Sequence, residues 1–386
     1  MKIAVAVFVL SLFSLISVVN AQDLTPDNTA SPTSVNLNSV YTVNNQTGTS
    51  SSLTNLDAWA VGDGGTIIRW NGSRWSTVNS VTTMNLYSVV LADTYDGWAV
   101  GGSANTGVIL RWNGTWSVWN KISFGNNNGA SDSINATLYS VTIDSSGDSG
   151  WAVGANGISL YWNGSVWNGQ ASMTSNTLRG VAMIHGSNLA WAVGDGGVIF
   201  RWNGNSWSSM TSPTTTNLNS IVMIDDSSGW AVGGSGNSGI ILNLNGSIWN
   251  TWNRINFGGA VNPTYGYVTD VINNTLNSVS MDTASSAWAV GGNGLALRWD
   301  GVEWREQDSL VNNNLRSVSM LHGTSDSNNQ AWAVGEGGKI LAWSGAHWIP
   351  EFPVMAIPIL LGLVAFAALI AKMRTSKKTP STPLFY

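Results

Sequence analysis

From residue 37 to 349, short apolar runs alternate with breaks of Gly, Asn, Ser and Thr, and the runs recur in a fixed order. With single replacements in some copies, the order is Leu-x-Ser-Val, Trp-Ala-Val-Gly, a Gly-rich turn, a third apolar run, Trp-Asn-Gly and one more Trp. In the first unit these are Leu37 to Val40, Trp59 to Gly62, Asp63-Gly64-Gly65, Thr66 to Ile68, Trp70-Asn71-Gly72 and Trp75. Trp-Ala-Val-Gly begins at Trp59, Trp98, Trp151, Trp191, Trp230, Trp288 and Trp332. Four β-prone segments separated by turn residues, repeating at roughly 40 residues, are the signature of a propeller blade. The pattern predicts an all-β, seven-bladed β-propeller of four-stranded blades over residues 37–349, with blades starting near 37, 86, 138, 178, 218, 276 and 315.

Within each blade Leu-x-Ser-Val is expected innermost and the strand after Asn-Gly outermost, with Asn-Gly forming a two-residue type I′ turn. The third run carries Ile68, Leu110, Leu160, Phe200, Leu242, Leu297 and Leu341 in one column, and two places on it has Trp in every unit except at Leu244. Apolar residues repeated on one face of every unit are what blade-on-blade packing requires. The 22 Trp therefore read as blade core, not as an exposed sugar platform. Because each unit supplies four strands, the ring is expected to close by packing alone. Units two and five carry insertions, from about Trp119 to Thr137 and from about Trp252 to Thr275, and units one and four share Trp-Ala-Val-Gly-Asp-Gly-Gly. A duplicated three-blade block with a seventh blade added explains both. The insertions are expected on one face, as binding loops or as inherited padding, with Lys121 and Arg254 as their candidate contact residues.

The ends differ from the middle. Residues 1–21 hold Lys2, an apolar run from Ile3 to Val19 and a small-residue end at Ala21, which reads as a secretory signal peptide. Residues 22–36 lack apolar periodicity and read as a polar linker. After Pro350-Glu351-Phe352-Pro353 the stretch 354–371 is uncharged, and Lys372, Arg374, Lys377 and Lys378 lie in the tail 372–386. Eighteen residues rise about 27 Å as a helix, enough for a transmembrane segment, and the basic tail would lie in the cytoplasm. Pro350, Glu351 and Phe352 with the span and basic end resemble the PEF-CTERM sorting signal of archaeal surface proteins. That resemblance implies an archaeosortase partner and a cell-surface location. Trp59 to Ile67 and Trp191 to Ile199 are similar to the repeat of the photosystem II assembly-factor propellers and their bacterial and archaeal relatives. The likeness is specific for fold: those proteins carry Thr-x-Asp-Gly-Gly-x-Thr-Trp where this chain has Arg-Trp-Asn-Gly, so a photosynthetic role does not transfer.

Composition narrows the function. Only 10% of residues are charged, and the net charge of −5 gives no basic stripe for nucleic acid. With no Cys there is neither a disulfide nor a thiolate metal site, and no cofactor is expected. An enzyme is not expected either. No Ser-x-Asp-x-Gly-x-Thr-Trp box of the sialidase-like propellers is present, and His185 and His322 share a turn column with Asp93, Asp144, Asp225 and Asp282, which suits turn chemistry better than acid–base work. Exported and rich in Asn, the chain offers glycosylation sequons at Asn45, Asn71, Asn113, Asn135, Asn163, Asn245 and Asn273.

One column varies inside an otherwise uniform strand. The second residue of Leu-x-Ser-Val is Asn38, Tyr87, Tyr139, Arg179, Asn219, Asn277 and Arg316. Near the start of the innermost strand, these side chains are expected to ring one mouth of the central channel, a mixture suited to a glycan or an anionic group. The resulting expectation is a non-catalytic cell-surface propeller binding a glycan, an envelope component or a protein. A secreted glycan-active enzyme and a structural envelope protein are the alternatives.

Overall fold

The computed structural model describes residues 30–44, 56–125, 132–184, 186–258, 269–321, 331–343 and 348–350. They form seven sheets, each containing the four strands of one unit in sequence order. In the first blade these are Leu37–Asn44, Leu56–Gly62, Ile67–Trp70 and Trp75–Val78. Innermost strands of successive blades lie side by side right round the ring, blade seven against blade one included. The seven-bladed propeller of four-stranded blades is thus the fold.

Tryptophan joins the blades. The Trp of Trp-Ala-Val-Gly leans forward between the third and outer strands of the next blade: Trp59 lies 4.6 Å from Trp112 and 5.5 Å from Trp116. Trp98 meets Trp162 and Trp167, Trp151 meets Trp202 and Trp207, Trp230 meets Trp299 and Trp304, and Trp288 meets Trp343 and Trp348 in the same way. One Trp given and two received explain three per unit. Between blades four and five, Trp191 instead packs with Leu244 and Trp249. Trp252 is therefore the counterpart of the extra Trp119, and unit five lacks the third-strand Trp.

A second device runs along the channel. The free edge of an innermost strand leaves backbone N–H groups without a ladder partner. The Ser of Leu-x-Ser-Val accepts one from the following blade: Val89 N–H donates to Ser39 Oγ, Val141 to Ser88, Val181 to Ser140, Val279 to Ser220, Val318 to Ser278 and Val40 to Ser317. The exception is the blade four to five interface, where Gly180 replaces Ser.

Closure uses the same parts. Trp332 of blade seven packs on Trp70 and Trp75 of blade one, at 5.0 and 5.2 Å. The stretch 30–36, expected as linker, is the seventh inter-blade connection: Asn36 Oδ1 accepts from Gly337 N–H as Asn85 does from Gly64 and Asn217 from Gly196. A Cβ on Gly338 would stand 2.0 Å from the Thr33 carbonyl oxygen, and one on Gly65 or Gly197 would meet Thr82 or Thr214 likewise. The signal is the run Ser31-Pro32-Thr33 with Asn36-Leu37, which matches Ser212-Pro213-Thr214 with Asn217-Leu218. Among the described residues, each blade takes its four radial strands from its own unit.

Two expectations change. Asn-Gly is not a two-residue type I′ turn: Trp70 pairs with Trp75, leaving a four-residue loop in which Asn71 Oδ1 accepts the N–H groups of Ser73 and Arg74. Asn163 and Asn203 cap their loops in the same way. Asn is there as an acceptor and Gly72 for its φ of 91°, so the side chain sets the turn. In blade five the two-residue turn is Gly246-Ser247, because Asn245 itself pairs with Ile248.

The outermost strand also differs in two sheets. Ile122–Ser123 and Ile255–Asn256, from the insertions, add a fifth, parallel strand outside the outer strands of blades three and six. The insertions then return to the preceding blade, where Gly107 donates to the Ile134 carbonyl and Gly239 to that of Ile272. Ile134 and Ile272 are buried, so each insertion clasps two blades. Among the described residues no helix is long and apolar enough to cross a membrane. The expected signal peptide (1–21) and transmembrane segment (354–371) lie outside them, as do the basic tail, Glu351 and Phe352.

Candidate functional site

Leu37 opposite Gly62 puts the start of each innermost strand beside the turn that follows Trp-Ala-Val-Gly. The residue after Leu therefore projects at one end of the channel. Asn38, Tyr87, Tyr139, Arg179, Asn219, Asn277 and Arg316 line one cavity there, of about 160 Å3. Below it the channel, of about 340 Å3, is walled largely by Val40, Val89, Val141, Val181, Ile221 and Val279. Tyr41 also lines that channel, and burial pushes its hydroxyl up to about 12.

The mouth is bound together by its own side chains. Arg179 grips Asp195 through Nε and Nη2. Arg316 donates Nη1 to Asn38 Oδ1 at 2.6 Å and Nη2 to Glu336 at 3.1 Å. Asn38 Nδ2 in turn donates to Asp63 at 2.9 Å and to the Leu86 carbonyl at 2.9 Å. Asn219 and Asn277 donate Nδ2 to the Leu276 and Leu315 carbonyls of the following blades. Flipping either amide would set oxygen against oxygen, so both Oδ1 atoms remain as acceptors. The rings of Tyr87 and Tyr139 pack at 5.2 Å.

Each guanidinium thus meets one carboxylate, Asp195 or Glu336, and a third, Asp63, accepts from the amides of Asn36 and Asn38. The Asn314 amide, and then Arg316, hold the Glu336 carboxyl below its ordinary 4.5. These acids were absent from the expected site, yet the sequence carried a signal for them. An acid opens the turn only in units one, four and seven, whose column residues are Asn38, Arg179 and Arg316; the others have Gly102, Ala155, Gly234 and Gly292.

Solved structures with this architecture exist. YCF48 bound to D1 peptide aligns with a TM-score of 0.55 at 16% identity, over 81% of this chain and 95% of that one. YCF48 from Cyanidioschyzon merolae gives 0.55 at 16%, over 81% and 96%, and the WD40 propeller domain of Doa1 gives 0.54 at 12%, over 81% and 94%. The likeness is one of fold. No protein-family model and no curated protein matches the sequence.

The remaining candidates lie elsewhere. Lys121 and Arg254 sit at the outer rim, over the rings of Trp119 and Trp252 at 5.6 and 5.7 Å, and line neither the mouth nor the channel. Asn71, Asn113, Asn163 and Asn245 are exposed in the loops at the end opposite the mouth, whereas Asn135 and Asn273 are exposed in the insertions. Pro350 ends the outer strand of blade seven, an edge position that tolerates a residue without N–H. Asn45 is outside the described residues. Asp93, Asp144 and Asp225 accept N–H groups of their own turns, and His185 and His322 lie outside the described residues. Among the described residues no group of three or more His, Asp or Glu could hold a metal ion.

Proposed function

We propose that the protein is a non-catalytic, cell-surface binding propeller that takes a neutral glycan at the channel mouth. The observation that carries this is the convergence of the one variable column on a single cavity whose two arginines are each already paired with a carboxylate. An anionic ligand would compete with Asp195 and Glu336 for the arginines. Sugar hydroxyls need only the acceptors of Asn219 and Asn277, the remaining guanidinium N–H groups, and an aromatic surface such as Tyr87 with Tyr139 offers. Export through residues 1–21 and tethering or archaeosortase sorting through 350–386 belong to the same proposal, and they place the ligand outside the cell.

The test is a glycan array with the mature protein, followed by affinities for Tyr87→Ala/Tyr139→Ala and Arg179→Ala/Arg316→Ala at unchanged Tm. Each pair is expected to weaken the best neutral glycan at least about tenfold, on the order of 1.4 kcal/mol. Unaltered affinity would remove the mouth from the site. A second reading, a protein segment at the same mouth, draws support from the fold shared with a propeller solved with a bound peptide. Peptide display that selects a sequence sensitive to the same variants, with an empty glycan array, would favour it.

A further inference from the structure

The two insertions are the same device built twice, and each borders a cleft. Trp119 and Trp252 donate Nε1 to the carbonyls of Lys121 and Arg254. Phe124 and Phe257 donate their N–H to Asp132 and Asp270. Beside them lie cavities of about 430 and 760 Å3, within the range of about 300–1,000 Å3 usual for small-molecule sites. The matched pairs Phe124/Phe257, Asn135/Asn273, Gln170/Gln307 and Ser172/Ser309 line both.

Asn135 and Asn273 have no evident task in the fold. Both are exposed, and neither side chain has a hydrogen-bond partner among the described residues, whereas the Thr two residues on is occupied: Thr137 and Thr275 donate to the carbonyls of Ala104 and Gly236. Their neighbours differ between the copies, Ser133 against Val271 and Ala136 against Asn274, yet the Asn is the same. At Asn71 and Asn163 the sequon Asn is explained by the loop N–H groups it accepts; at Asn135 and Asn273 only the sequon explains it.

We propose that Asn135 and Asn273 carry N-linked glycans whose first sugars lie in these two clefts. The proposal rests on the export reading, since the sugar donor is supplied outside the cytoplasm. In the transfer the Asn amide nitrogen bonds to C1 of a lipid-linked saccharide, the lipid phosphate leaves with the electron pair of the C1–O bond, and the amide gives up one proton. The Phe124 and Phe257 rings then offer an apolar flank for a sugar face, and Gln170 and Gln307 offer amides to its hydroxyls.

The experiment is glycopeptide mass spectrometry on the full-length protein purified from its native host, with melting curves of variants. Sugar is expected on both Asn135 and Asn273. Asn135→Gln/Asn273→Gln is expected to lower Tm by roughly 2–4 °C in host-made protein and to leave it unchanged in protein made in a bacterial cytoplasm. Gln170→Ala/Gln307→Ala, which removes cleft contacts and leaves the sequons, is expected to reproduce part of that shift only in the glycosylated protein. Sugar at Asn71 or Asn113 with none at Asn135 and Asn273 would overturn this proposal alone. No sugar anywhere, with residues 1–21 still attached, would overturn the export reading with it. Modified asparagines whose loss leaves the host-made Tm unchanged would overturn the placement in the clefts.

Discussion

At the scale of single residues, the Ser of Leu-x-Ser-Val has a role that its column does not advertise. Replacing Ser278 by Ala leaves the Val318 N–H buried without a partner, at a cost of about 1–3 kcal/mol, measurable by denaturant unfolding. The reverse change at Gly180 meets backbone: its Cβ would stand 3.1 Å from Ser220 Cα, so a serine there needs that backbone to give by a few tenths of an ångström. Glu336 gives a pH prediction. Its folded carboxyl lies below 4.5, so its contribution is complete above 4.5 and is lost as pH falls through the lower folded value. In Glu336→Gln that part of the acid destabilisation should be missing from Tm measured against pH. An unchanged acid limb would mean that the Asn314 and Arg316 contacts do not distinguish the charged form.

Between blades, the unit of stability is a Trp triad rather than a single ring. Trp332→Ala removes the donor at the closing interface and is expected to cost roughly 3–5 kcal/mol by denaturant unfolding. Trp191→Ala should cost less, because its receiving pocket already has Leu244 in place of a Trp. The strand order and the Trp columns were legible because a propeller repeats each local environment seven times, so one chain acts as its own comparison. Less legible was whatever depends on a partner in another column or in the next blade. The pairing of Arg179 with Asp195 joins two columns that sequence inspection takes one at a time. The parallel strand Ile122–Ser123 was hidden because two residues carry no periodicity. The Asn-Gly turn misled because the dipeptide fits both a type I′ hairpin and a side-chain-capped loop, and only the pairing of Trp70 with Trp75 separates them.

Taken whole, the ring has no special seam. Blade seven meets blade one through the same Trp triad, the same Ser–Val bond and the same Asn cap as other neighbours. A circular permutant that joins 350 to 30 by a short flexible linker and opens between Val78 and Leu86 is therefore expected to refold, with Tm within a few degrees of the parent by calorimetry. Loss of cooperative melting would show that the chain order itself holds the ring. The direction of the last strand has a further consequence. Leu341 pairs with Pro350, so the outer strand of blade seven ends at the mouth side, the side from which residues 30–36 also enter. Only three residues separate Pro350 from the apolar run at 354, about 14 Å at full stretch. A protein held by that run would look down at its own anchorage, with the mouth shaded by the surface it is attached to and the Asn-Gly loops turned to the medium. If the proposed anchor exists, releasing the propeller from it would open the mouth to any solute.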